Sequence, residues 1–154
     1  MFQILKNKKA DKETINNIKL LQELKLNVHK MKQYYSKLDR SDISDCTRDI
    51  CKTADLILKE VSLNQDKLSR VKLFIEHYVP TVTKMFQQYI EIQNNRLTGE
   101  RSIQTKQTIE VLLPKIKDAF TELLNQLFNE EHRDVDTAIK VLMYELSQKG
   151  LLDE

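Results

Sequence analysis

The residues best suited to chemistry are Asp134 and Asp136 in the run Asp134-Val135-Asp136-Thr137, because two aspartates one residue apart can divide the work of phosphoryl transfer between a nucleophile and an acid/base. Phosphatases of the haloacid-dehalogenase type use such a pair as DxDxT or DxDxV, whereas here the fifth position is Ala138. That chemistry also needs a preceding parallel strand and further downstream acids to hold magnesium, and little sequence follows Thr137. Two acids at a helix start have a simpler use, capping orphan amides and complementing the positive dipole end. Asp134 or Asp136 is therefore expected as the N-cap of the last helix, with a catalytic role for the pair as the weak alternative. His132 adds a third candidate ligand, but a surface loop before a helix accounts for it.

Other reactive side chains are scattered. Cys46 and Cys51 stand five apart in a helical pattern, which turns the second away from the first, so neither a disulfide nor a metal site is expected. His29 flanks an apolar seam, and His77 precedes Tyr78, where a hydrogen bond could fix a turn. No phosphate-cradling glycine loop, G-x-S-x-G elbow or H-E-x-x-H pair occurs. No cofactor is implied.

The elements that must position these residues are helices. The chain has 154 residues, 31% of them charged, and only two Gly and two Pro, so tight hairpins have almost nothing to be built from. From Glu13 to Leu38, the residues Leu21, Leu24, Val28, Met31, Tyr35 and Leu38 recur at steps of three and four, with Ile15 and Ile18 extending the stripe upstream. Asp39 to Asp42 offers turn and N-cap chemistry; a second stripe over Ile43, Cys46, Ile50, Ala54, Ile57 and Val61 should return antiparallel. Ser62 to Asp66 reads as a short connection or kink, before a third segment over Leu68, Val71, Phe74, Ile75 and Tyr78. Pro80 then predicts a corner, with one helix ending near Tyr78 and the next holding Pro80 in its first turn.

Val82, Met85, Phe86, Tyr89 and Ile92 continue the apolar face until Gly99, expected as a helix stop. A long helix follows, with Ile109, Leu112, Leu113, Ile116, Phe120, Leu123, Leu124 and Leu127 on one face and Pro114 bending or interrupting it. The last helix buries Val135, Ile139, Leu142 and Leu146 and stops at Gly150. The expectation is an all-α, up-and-down bundle of about five or six amphipathic helices over residues 13–154, preceded by a basic, frayed segment at 1–12. Monomeric packing is the simpler reading, and the heptad-like seams also suit a homo-oligomer.

Through Arg40 there are ten Lys or Arg against four Asp or Glu, and beyond it fifteen against nineteen, so a basic head precedes an acidic tail. Lys6, Lys8, Lys9 and Lys12 follow Phe2, Ile4 and Leu5, a pairing that suits peripheral contact with an anionic membrane at about 1 kcal/mol per basic residue; a solvated terminus is the plainer reading. Nucleic-acid binding is not expected, because a strongly basic stripe with exposed aromatics is missing. No run of about eighteen apolar residues occurs and no signal sequence is evident, so a cytoplasmic location is expected.

FIEHYVPTVTKMFQQY (74–89), IQTKQTIEVLLPKIKDAFTELLNQLF (103–128) and DVDTAIKVLMYELSQKGL (134–151) together resemble the bacterial XpaC family, associated with 5-bromo-4-chloroindolyl phosphate hydrolysis. The resemblance implies a helical module, a phosphate-ester hydrolase activity by the family's label, and a helical protein partner of the TelA-like, toxic-anion-resistance type. Set beside the missing active-site vocabulary, it points to a non-catalytic adaptor that binds a partner helix.

Overall fold

The computed structural model describes the backbone of residues 2–39, 43–129 and 135–150, and the side chains of 11–39, 43–129 and 140–150. It contains α1 (Phe2–Lys37), α2 (Ser44–Leu63), a 3₁₀ turn (Gln65–Val71), a π turn (Phe74–Tyr78), α3 (Val79–Asn94), α4 (Glu100–Asn129) and α5 (Val135–Gln148), with no strand among the described residues. This is the expected all-α bundle. No described helix is long and apolar enough to cross a membrane.

Chain direction alternates, but successive helices are not all neighbours. α1 packs against α2 and α3, and α4 closes the square against the same two. α1 and α2 are antiparallel and tied by Lys32 Nζ to Asp55 Oδ1 at 2.9 Å. α2 and α4 run parallel: Asp49 meets Lys117 at one end, and Lys67, just past α2, meets the Leu127 carbonyl at the other. The link from α2 to α3 therefore crosses the end of the bundle, and the 3₁₀ and π turns are that crossing.

The core follows the periodicity of each stripe. Leu24, Val28, Met31, Ile50, Ala54, Ile57, Val61, Leu112, Ile116 and Phe120 are all buried. Ile15 and Ile18 are not: they remain 53% and 48% exposed. Nine residues, two and a half helical turns, separate Ile15 from Leu24, so Ile15 lies on the opposite face rather than on the stripe.

The corner at Pro80 is also corrected. Backbone angles at Leu73, Tyr78 and Val79 are all right-handed helical, so the chain does not turn there. Instead the Val79 N–H donates to the Phe74 carbonyl five residues back, a π turn leading directly into α3 with Pro80 at its start. Proline has no N–H and its ring crowds the carbonyl four residues earlier; widening the turn ahead of it keeps the helix continuous. Thr81 Oγ1 donates to the His77 carbonyl at 2.6 Å and Thr83 Oγ1 to the Val79 carbonyl at 2.8 Å. It is thus the backbone of His77, whose side chain is exposed, that joins in fixing this segment.

Gly99 has the opposite role from the one expected. α3 ends at Asn94, Arg96 takes the left-handed conformation with φ 49°, and the Gly99 carbonyl accepts the Ile103 N–H, so Gly99 starts α4. α4 runs through Pro114 as one helix. Gly150, with φ 70°, follows the end of α5 as expected.

Candidate functional site

Asp134 and His132, together with Lys6, Lys8 and Lys9 as side chains, lie outside the described residues, as does the side chain of Asp136, whose backbone is in the first turn of α5. Neither the capping nor the catalytic reading of the aspartate pair is therefore tested by contacts, and Asp42 stands likewise outside. Lys12 is exposed. His29 and His77 are both exposed and on different helices, and no group of three or more His, Cys, Asp or Glu among the described residues is placed to hold a metal ion.

The described side chains with shifted ionisation are two thiols and a tyrosine in or against the core and one surface ion pair. Cys46 and Cys51 are free thiols. Burial pushes Cys51 up to about 12 and raises Cys46 as well, which disfavours the nucleophilic thiolate in both. Tyr78, 1% exposed, is raised by burial; its ring packs on Phe120 at 5.3 Å and Phe74 at 5.8 Å, and its hydroxyl has no hydrogen-bond partner among the described residues. Asp49 is held below the ordinary carboxylate range, chiefly by the hydrogen bond from Lys117, whose own pKa is raised by the same contact. Between them, α2 and α4 are tied by Lys117 Nζ to Asp49 Oδ2 at 3.2 Å.

The second tie between these helices is better sheltered. Lys67 Nζ lies 2.8 Å from Glu60 Oε1 and 2.8 Å from the Leu127 carbonyl, and 5.8 Å from the Phe128 ring centroid. Lys67 and Glu60 are only 15% and 13% exposed. An ammonium at the C-terminal turn of α4 meets carbonyls that have no intrahelical donor, where the helix dipole favours positive charge.

One surface that the described residues offer a partner lies on α4 and α5. On α4, Val111, Lys115, Asp118 and Glu122 recur at steps of four, three and four and share one outward face. α5 docks beside that face through buried Leu142 and Leu146, with Lys115 Nζ 3.6 Å from Glu145 Oε2. A groove of about 380 Å³ lies between the helices, floored by Ala119, Val141 and Leu142 and walled by Asp118, Glu122 and the Lys115–Glu145 pair. Val141 in its lining is 55% exposed; Val111, one turn before Lys115 on α4, and Tyr144, next to Glu145 on α5, are 58% and 65% exposed. Three carboxylates against one lysine, itself paired, give this apolar groove an acidic border. Arranged this way, it can receive apolar side chains at helical spacing flanked by cations.

Sequence reasoning missed this face. It traced the buried stripe of α5 through Leu142 and Leu146, while Val141 and Tyr144, three apart and off that stripe, were the sign of a helix apolar on two sides. Tyr78 and Pro80 were found as a structural pair, though as part of a π turn rather than a corner.

The family model described as "5-bromo-4-chloroindolyl phosphate hydrolysis protein" matches residues 3–142. No curated protein and no solved structure matches the chain.

Proposed function

The chain belongs to the 5-bromo-4-chloroindolyl phosphate hydrolysis protein family, and we propose that it is a non-catalytic helical adaptor whose α4–α5 face binds a basic amphipathic helix of another protein. The observation that supports this most directly is an apolar groove holding the exposed Val141 and bordered by Asp118, Glu122 and Glu145, with exposed Val111 and Tyr144 on the two helices that form it. Apolar anchors seated between these carboxylates would gain burial, and flanking Lys or Arg would gain charge complementarity. TelA-like helical proteins are the first partners to test. A family label based on colour from an indolyl phosphate also fits an adaptor that alters phosphatase export, expression or envelope permeability.

Photo-crosslinking from positions 141 and 144, with the TelA-like protein and with a lysine-rich amphipathic peptide as bait, tests the assignment. Asp118→Lys with Glu122→Lys should abolish crosslinking, and salt should weaken it. Equal crosslinking by the charge-reversed protein would remove this face from consideration.

The second reading, a phosphate-ester hydrolase, is favoured by the family's description and by Asp134 and Asp136. It is tested by incubating the purified protein with 5-bromo-4-chloroindolyl phosphate, with and without divalent metal, beside Asp134→Asn and Asp136→Asn. Metal-dependent turnover lost in either variant would establish the hydrolase and overturn the adaptor; no turnover in any version is the expected result.

A further inference from the structure

A second cleft, polar and cationic, lies where the start of α4 meets the end of α5 and the side of α3. It has a volume of about 370 Å³ and is lined by Arg101, Gln104, Thr105 and Thr108 of α4, Gln88 of α3, and Lys149 with Gly150 just past α5. The four α4 residues fall at i, i+3, i+4 and i+7, so they form one continuous face from the helix's first turn. Among the described residues, no carboxylate lines the cleft. Neither Arg101 nor Lys149 takes part in an ion pair among the described residues, whereas most other interhelical contacts of charged side chains here are matched.

The neutral groups add direction to this charge. Thr108 gives its hydroxyl to the Gln104 carbonyl at 2.8 Å, which leaves the Thr105 hydroxyl and the Gln104 amide as available donors. The Gln88 amide oxygen is shut off from solvent and has no hydrogen-bond partner among the described residues. An amide oxygen in that condition costs stability, and it faces the packing rather than the cleft's open volume.

We propose that this cleft binds the phosphate group of a small phosphate monoester or of inorganic phosphate. A guanidinium fork and an ammonium match the two negative charges of a phosphate dianion better than the single charge of a carboxylate. Thr105 and Gln104 donate to its remaining oxygens. The amino end of α4 adds favourable potential for an anion. The volume exceeds what one phosphate fills, which leaves room for an organic substituent. This site is separate from the α4–α5 groove and stands whether or not that groove binds a helix.

The test is a titration of the ¹⁵N-labelled full-length protein with inorganic phosphate and with phenyl phosphate at constant ionic strength, followed by amide shifts. Saturable shifts confined to Arg101, Gln104, Thr105, Lys149 and Gly150 are expected. Arg101→Gln with Lys149→Gln should weaken them about tenfold or more without altering the helical circular dichroism, since both side chains are exposed. Asp153 and Glu154 follow Gly150 closely in sequence, so the titration is repeated with Asp153→Asn and Glu154→Gln to remove competing carboxylates. A lipid source of the same group is separated by sedimentation with phosphatidic acid vesicles: binding lost in the Arg101/Lys149 variant, without saturation by soluble phosphate, would assign a headgroup. Shifts that do not saturate or that survive the double substitution, together with no vesicle binding, would overturn the site.

Discussion

Tyr78 shows how a single hydroxyl can run against its surroundings. Its ring packs against both Phe120 and Phe74, which themselves lie 5.0 Å apart, yet its oxygen has no partner among the described residues. A buried polar atom without a hydrogen bond loses its solvation and gains nothing in return. Tyr78→Phe should therefore leave stability unchanged or raise it by about 1 kcal/mol; a loss of that size in urea unfolding would mean the hydroxyl is bonded. Lys67 is the opposite case, a charge whose neighbours all match it. Removing its ammonium strips the Leu127 carbonyl and leaves Glu60, 13% exposed, with Asn64 at 2.9 Å as its remaining donor. Lys67→Met should cost about 2–3 kcal/mol and lower the melting temperature by about 5–10 °C. Lys32→Met, which breaks a pair 49% and 45% exposed, should cost under about 1 kcal/mol. Similar losses from the two variants would contradict the sheltering assigned to Lys67.

The two prolines show what an element can absorb. Before Pro80 the helix widens into a π turn, which turns a residue that ends helices into one that re-registers a continuous helix. At Pro114 α4 continues through it, and the Glu110 carbonyl four residues earlier loses its amide donor. Pro114 is exposed, so alanine fits without repacking. Pro114→Ala should raise stability by about 1–2 kcal/mol, the restored bond and relieved clash outweighing the added freedom of the unfolded chain; calorimetry on the two proteins measures it, and a lower melting temperature would mean the proline is accommodated without strain. Helix existence was legible because stripes such as Ile50, Ala54, Ile57 and Val61 repeat for several turns, and burial follows that repeat directly. Junctions were less so. Proline was read as a breaker and Gly99 as a stop because those are their commonest uses, whereas here the π turn precedes the proline and Arg96 holds the left-handed position. Ile15 and Ile18 misled for a related reason: apolar spacing near a stripe was counted without following the accumulated rotation.

At the scale of the molecule, two parallel helix pairs have to be held in register without a hairpin between them, and electrostatics contributes to that register. The Asp49–Lys117 tie joins α2 to α4 near the opposite end from Lys67. Because Lys117 holds the Asp49 carboxyl below its ordinary 3.8, this group favours the folded state above the unfolded-state value, and the contribution disappears as pH falls through the depressed folded value. Lys117, raised above 10.5, sets the other edge: its contribution is present below the unfolded value and is lost as pH rises through the folded one. The tie therefore acts across the neutral range, and Asp49→Asn should flatten the acid limb of the stability profile while leaving its shape near neutrality intact. Urea midpoints from about pH 2 to about pH 7 measure this, and an unchanged acid limb would show that the tie does not discriminate folded from unfolded chains. Little of this was legible in the sequence. Charge partners such as Asp49 and Lys117, far apart in the chain, have no periodicity to reveal them, and both clefts depend on the same information: which outward faces the order α1–α2–α4–α3 brings side by side. The basic head and acidic tail were visible as counts, but their use depends on placement. Acid borders the apolar groove between α4 and α5, while Arg101 and Lys149, from the acidic portion of the chain, gather in a cleft that no carboxylate among the described residues lines. One end of the α4–α5 pair is thus suited to a cationic helix and the other to an anion, and that separation lets the two be tested with independent substitutions.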